Sequence, residues 1–262
     1  MNLFTSWQRR ECAMMPDNLI AALFPDGHTL ISGPENTLSG HAKCGGKTVE
    51  VLGITDGTPL GPETALVLAG RVLEIVKSGS KAPIVFLIDT ASQRMTRRDE
   101  MLGLNEYLAH LAKSITLASI EGHRTISVLY GTAAAGAFIA TALATQTMVA
   151  VDGAHPSVMD LPSIARVTKL PLKVLTEKAK ETPVFAPGVE PLAATGAVTE
   201  IWKLSDAESA KRLAALLSDE QTGRADGRDQ LGATRGGRKV AADVANRVAA
   251  AFLNTDVSEK AE

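Results

Sequence analysis

Cysteine is almost absent from this 262-residue chain: Cys12 and Cys44 are too few for a disulfide framework, and neither belongs to a CxxC or Cys/His cluster with metal-ligand spacing. A reducing, cytoplasmic compartment is therefore expected. Aromatic residues are scarce at 4%, whereas hydrophobic residues reach 45% and are carried mainly by Ala, Leu and Val. That balance suits a soluble α/β chain and disfavours a β-sandwich or a disordered segment. No stretch reaches the roughly 20 apolar residues that span a bilayer. The amino terminus carries Arg9, Arg10 and Glu11 before any apolar run, which is not the order of a secretory signal, so no membrane role is expected. Charge of one sign is lacking too. With a net charge of -2 and no basic stripe interleaved with aromatics, nucleic-acid binding has no electrostatic footprint. Also missing are a GxSxG elbow and any Ser/His/Asp arrangement, so covalent catalysis is not expected.

What is present is a set of unbroken β-rich runs separated by helical patterns. Ile84–Ile88, Ile126–Tyr130 and Thr147–Val151 read as parallel strands buried on both faces. Lys47–Gly53 reads as an earlier strand and Ala197–Trp202 as a late one. Leu66, Ala69, Leu73 and Val76 recur at helical spacing over Glu63–Lys77, with Pro62 suited to the first turn. Further helices are expected from about Asp99 to Ala118, from Ala134 to Ala144, and as two short pieces over 162–181 broken at Pro171. Residues 1–25 read as an amino-terminal segment with a short helix near Leu19–Leu23. Residues 26–220 read as the main α/β domain and 221–262 as an arm. In the arm, Thr222–Arg238 reads as a loop, and Lys239–Leu253 as a helix with Val240, Val244, Val248 and Phe252 on one stripe. Such a stripe needs a surface, either on its own domain or on a partner subunit.

The most informative segment is Tyr130-Gly131-Thr132-Ala133-Ala134-Ala135-Gly136-Ala137-Phe138, where a buried strand passes into a small-residue helix. Amide hydrogens in a first helical turn have no intrahelical partner and favour an anion. Gly131, Ala135 and Gly136 would let a ligand approach the backbone, since no large side chain intervenes. Gly131 to Gly136 has phosphate-loop spacing, but Ala137-Phe138 stands where Lys-Ser/Thr would be required, and GxGxxG is absent. Tight packing of a helix on the sheet is the alternative explanation for the small residues.

This order of buried strand, Ala135-Gly136-Ala137 turn, Ala-rich helix and second buried strand resembles the carboxyltransferase branch of the crotonase superfamily. Leu87-Ile88-Asp89-Thr90 and Gly196-Ala197-Val198-Thr199-Glu200-Ile201 are similar to two further signatures of that branch. The start Leu23-Phe24-Pro25-Asp26-Gly27-His28 with Leu38-Ser39-Gly40, and the tail Asp229 to Arg238, resemble the malonate decarboxylase gamma subunit family. Biotin-dependent relatives continue Asp-Thr with Pro-Gly, whereas here Asp89-Thr90 runs into Ala91-Ser92-Gln93-Arg94, which suits a biotin-independent enzyme.

The resemblance implies a crotonase-like α/β fold and decarboxylation of a malonyl thioester to the acetyl thioester. It implies no cofactor bound by this chain itself, a thioester carried by an acyl-carrier protein subunit, and a homologous beta subunit that supplies the opposite wall. It assigns the backbone amides of Gly136 and Ala137 to an oxyanion hole. Of the five histidines, His155 alone follows a buried strand on the side of the turn, and it either lines the site or is a plain loop residue. His110 reads as structural. Ser92, Gln93 and Arg94 read as a solvated connection in preference to substrate contacts. An alpha-type subunit of a biotin-dependent acyl-CoA carboxyltransferase and a non-catalytic structural subunit are the competing readings.

Overall fold

The computed structural model describes residues 16–183, 186–204, 206–218 and 226–258. Arg9, Arg10, Glu11 and Cys12 lie outside them. Helix α1 (Pro16–Leu23) places Leu19, Ile20 and Leu23 in the core beside Phe24. Strands β1 (Ile31–Ser32), β2 (Thr37–Cys44) and β3 (Lys47–Gly57) follow as an antiparallel meander. Helix α2 (Pro62–Lys77) opens with its proline as expected and buries Ala65, Leu68, Ala69 and Val72.

In strand β4 (Ile84–Thr90), Ile84 to Ile88 are all buried, as the unbroken apolar run requires of a strand covered on both faces. The single helix expected from Asp99 to Ala118 is two, α3 (Arg97–Met101) and α4 (Leu104–Ile120). Gly103, at φ +78, takes the left-handed conformation that separates them. Strand β5 (Thr125–Ala134) leads into α5 (Ala135–Ala140), shorter than the expected helix to Ala144. Thr141 is the cause: its N–H and hydroxyl both donate to the Ala137 carbonyl, at 3.1 and 2.7 Å, and the backbone breaks there into a 3-10 turn.

The remainder comprises β6 (Thr147–Val151), β7 (His155–Ser157), α6 (Leu161–Thr168), α7 (Leu172–Glu181), α8 (Val189–Ala194), β8 (Glu200–Trp202), α9 (Asp206–Ser218), α10 (Arg228–Thr234) and α11 (Ala241–Ser258). Strand order is β1-β2-β3-β4-β5-β6-β8, with β7 beside the end of β5, and every pairing from β3 onward is parallel. One face of the sheet packs Ile84, Phe86 and Ile88 against α2, α4 and α5. The other packs Val85, Leu87 and Val128 against α1 and α9.

Two parts of the tail differ from expectation. Thr222–Arg238 is not a plain loop, since α10 lies within it and docks closely. Arg235 donates to the carbonyls of Ala193, Val198 and Thr199 at 2.7–2.9 Å, and Arg238 to that of Thr195 at 2.9 Å. A Cβ on Gly232 or Gly237 would collide with the Thr195 or Ala194 carbonyl, so the glycines serve packing. Residues 222–225 lie outside the described ones. Helix α11 is exposed at every residue whose side chain is described, including Val244 and Val248. Its stripe is not buried on its own domain.

Candidate active site

The carboxyl ends of β3, β4 and β5 meet at a register shift. There Asp56 and Gly57 both adopt φ +60, and the β4–β5 pairing skips from Ile88 to Thr90. Asp89 Oδ1 accepts from the Thr132 N–H at 2.8 Å and from its hydroxyl at 3.1 Å. The Asp89 carboxylate lies directly over Gly131, where any Cβ would collide with it. Gly131 therefore makes room for Asp89, a packing role that its expected contact with ligand did not include. Tyr130 is buried among the α1 and α9 side of the core. Burial, with the nearby negative charges of Asp89 and Asp56, raises its hydroxyl far above the ordinary tyrosine value. It stays a neutral phenol at any working pH and is no base.

The turn itself begins with Ala134 extended at φ -132, ψ 153, and continues through Ala135 at φ +51. A left-handed residue with a Cβ costs about 1–2 kcal/mol. The strain persists because the strand entering the turn is held on both sides: β7 pairs Pro156 with Ala133 and Ser157 with Ala134, and β4 pairs Thr90 with Ala133. The result aims the half-buried Gly136 N–H out of the helix, where it donates to Gln93 Oε1 at 2.8 Å. Ala137 is fully buried and belongs to the core under α4. Leu108 crowds the same point, since a Cβ on Gly136 would lie 3.1 Å from its Cδ1 and 3.3 Å from Gln93 Oε1.

Gln93 is not part of a solvated connection. Leu60 N–H donates to Ser92 O at 2.8 Å and Arg94 N–H to Leu60 O at 2.9 Å, so a two-sided backbone bridge brackets it. Arg94 then anchors the loop with Nε on Asp99 (2.7 Å), Nη1 on Glu35 (2.7 Å) and Nη2 on Glu63 (2.5 Å). Arg98 closes the cluster on Glu63 at 2.6 Å and on Asp99 at 3.1 Å. Asp99 is only 1% exposed, and its N–H donates to Thr96 Oγ1, the cap of α3. The hydrogen bond from Arg94 is the main force holding the Asp99 carboxyl below its usual range, as Arg98 does for Glu63, and the bonds to Asp99, Glu35 and Glu63 raise Arg94 beyond its ordinary value. Sequence reasoning missed this clamp because its acids come from the β1–β2 connection, α2 and α3.

His155 opens β7 opposite Thr132 and is exposed, so the structure does bring it to the strand that carries the turn. His41 pairs with Glu50 at 3.1 Å on the antiparallel part of the sheet, and His110 is exposed on α4. His123 is buried at the opposite end of β5, with Nδ1 2.9 Å from Ala82 O. From Ser157, opposite Ala134, a groove of about 1030 Å³ runs between α6, α8 and the tail, with Val158, Met159, Leu192, Arg228 and Arg238 in its walls.

Residues 55–252 match the sequence model of the malonate decarboxylase gamma subunit. The chain is 27% identical over 175 residues to the malonyl-S-ACP:biotin-protein carboxyltransferase of Malonomonas rubra. That match covers 63% of this chain and spans about 60% of the relative's length. A Pseudomonas malonate decarboxylase hetero-tetramer solved in complex with coenzyme A superposes with a TM-score of 0.70 at 23% identity, over 93% of this chain and 98% of that one. The Pseudomonas malonate decarboxylase MdcD-MdcE hetero-dimer gives 0.70 at 22% identity, over 90% and 98%. These likenesses establish the crotonase-like α/β fold expected from the sequence.

Proposed function

Because this chain belongs to the malonate decarboxylase gamma subunit family, we propose that it forms one wall of a site that decarboxylates a malonyl thioester to the acetyl thioester. Cleavage of the carbon–carbon bond releases carbon dioxide and sends the bonding pair into the thioester carbonyl, so the transition state resembles an enolate. The Gly136 N–H, turned outward by the left-handed Ala135, is the observation that carries the reading. It is the primary oxyanion donor, with the Ala137 N–H behind it. A preorganised donor of this kind contributes about 10²–10³ in rate, or roughly 3–4 kcal/mol. The enolate carbon then takes a proton from water or from an acid, for which His155, opening β7 opposite Thr132, is the candidate.

The substrate is a thioester on an acyl-carrier protein subunit, and the relatives support this by their names: one acts on malonyl-S-ACP and one was solved with coenzyme A. A homologous beta subunit supplies the facing wall, as the hetero-dimeric Pseudomonas assembly suggests, and the exposed stripe of α11 is our candidate contact. Ala135 and Gly131 shape the turn from within. The working location is the cytoplasm. Among the described residues no helix is long and apolar enough to cross a membrane.

A second reading is favoured by the curated relative, a biotin-protein carboxyltransferase. Under it, the carboxyl group would pass to biotin instead of leaving as carbon dioxide. The test is the complex co-expressed with its partner subunits and supplied with a malonyl thioester. Carbon dioxide release without biotin, lost in Gly136→Pro with assembly intact, supports the proposal. Transfer of the malonyl carboxyl to biotin with no free carbon dioxide released supports the rival, and full activity of an intact Gly136→Pro complex would make this a structural subunit.

A further inference from the structure

We infer that Gln93 is a resident plug on the oxyanion donor, displaced by the substrate's carbonyl oxygen, and that it sets the affinity of this turn for acyl thioesters. The inference rests on Gly136 N–H being that donor. Gln93 offers a carbonyl oxygen at 2.8 Å, the same acceptor chemistry as a thioester. A half-buried N–H crowded by Leu108 would be costly to leave bare, and the carboxamide satisfies it while the site is empty. The attachment is single: among the described residues the Gln93 side chain makes no other hydrogen bond. Its backbone, by contrast, is fixed on both sides by Leu60 and beyond by the Arg94 clamp. Motion is thereby confined to side-chain rotation on a rigid post, and opening requires no refolding of the loop.

The energetics follow from competition. A neutral amide oxygen and a neutral thioester oxygen are comparable acceptors, so the plug opposes ground-state binding. The enolate oxygen bears charge, and charge-assisted hydrogen bonds are roughly twice as strong as neutral ones, so once the carbonyl has displaced the plug the N–H holds it more firmly as the reaction proceeds. A group displaced on binding lowers apparent affinity by the fraction of time it occupies the site and leaves the bound complex's turnover alone.

The experiment uses the assembled complex with malonyl-CoA as substrate and acetyl-CoA as a ligand that cannot lose a carboxyl group. Gln93→Ala should lower KM, and the Kd for acetyl-CoA, by about two- to tenfold, the equivalent of one net hydrogen bond, with kcat nearly constant. Affinity for CoA itself, which has no acyl carbonyl, should not change. Gln93→Glu should raise KM, because a carboxylate holds the N–H more strongly and repels the malonyl carboxylate. A Gln93→Ala complex with raised KM or lost kcat would make Gln93 a substrate contact and overturn the plug. If both Gln93 variants leave KM and Kd unchanged while Gly136→Pro abolishes turnover, the plug falls and the donor stands. If Gly136→Pro is also fully active, the donor reading falls and takes the plug with it.

Discussion

Ala135 carries a side chain where the backbone asks for none. Relief of its left-handed strain is worth about 1–2 kcal/mol, against roughly 0.5–1 kcal/mol of extra chain entropy that glycine loses on folding. Ala135→Gly should therefore stabilise the chain by about 0.5–1 kcal/mol, read as a raised urea midpoint with unchanged slope. The Arg94 cluster makes a prediction in pH. Asp99 and Glu63 hold their carboxyls below the usual range when folded, chiefly through Arg94 and Arg98 respectively, so the unfolded chain binds more protons in acid. Their contribution is fully present near neutrality and drains as pH falls below about 4. Urea midpoints measured from pH 7 down to 3 should fall at the acid end. Arg94→Met should start lower at pH 7 and show a flatter acid limb. At this scale the sequence was partly legible. The small residues of 131–137 marked the turn, but Gln93 and Arg94 looked solvated because Glu35 and Glu63 are brought to Arg94 only by the fold, from 59 and 31 positions away.

Elements were easier to read than residues wherever hydrophobic period alone decides. The runs that became β4, β5 and β6 needed no knowledge of tertiary contacts, and the proline opening α2 announced itself. Element lengths were harder. Thr141 ends α5 by bonding back to Ala137, so a six-residue helix remains. Its dipole is correspondingly weak, and the donor strength of the turn lies in the direction of individual N–H groups. The Gly-rich tail looked loose because glycine signals turns and close packing alike. Here it is close packing, and Gly237→Ala should cost about 1–3 kcal/mol through forced separation of α10 from α8. Denaturation of the variant beside the parent protein measures it. For α11 the prediction is the reverse. Val244→Asp with Val248→Asp should leave the isolated chain's stability within about 0.5 kcal/mol. In a pull-down or sedimentation titration, it should weaken assembly with the beta subunit by roughly tenfold or more.

At the scale of the molecule, a parallel sheet covered on both faces delivers β3, β4 and β5 to one edge, and the turn that follows β5 stands there. That much follows from order and period along the chain. The facing wall does not, because nothing within a single chain states what its open edge and exposed terminal helix meet. The account depends on one N–H. Replacing the Ala135–Gly136 peptide by an ester, with glycolate at position 136, removes that hydrogen and leaves size and backbone shape nearly untouched. In the assembled complex, carbon dioxide release from a malonyl thioester should then fall about 100-fold or more in kcat. Turnover equal to that of the unaltered complex would contradict the account.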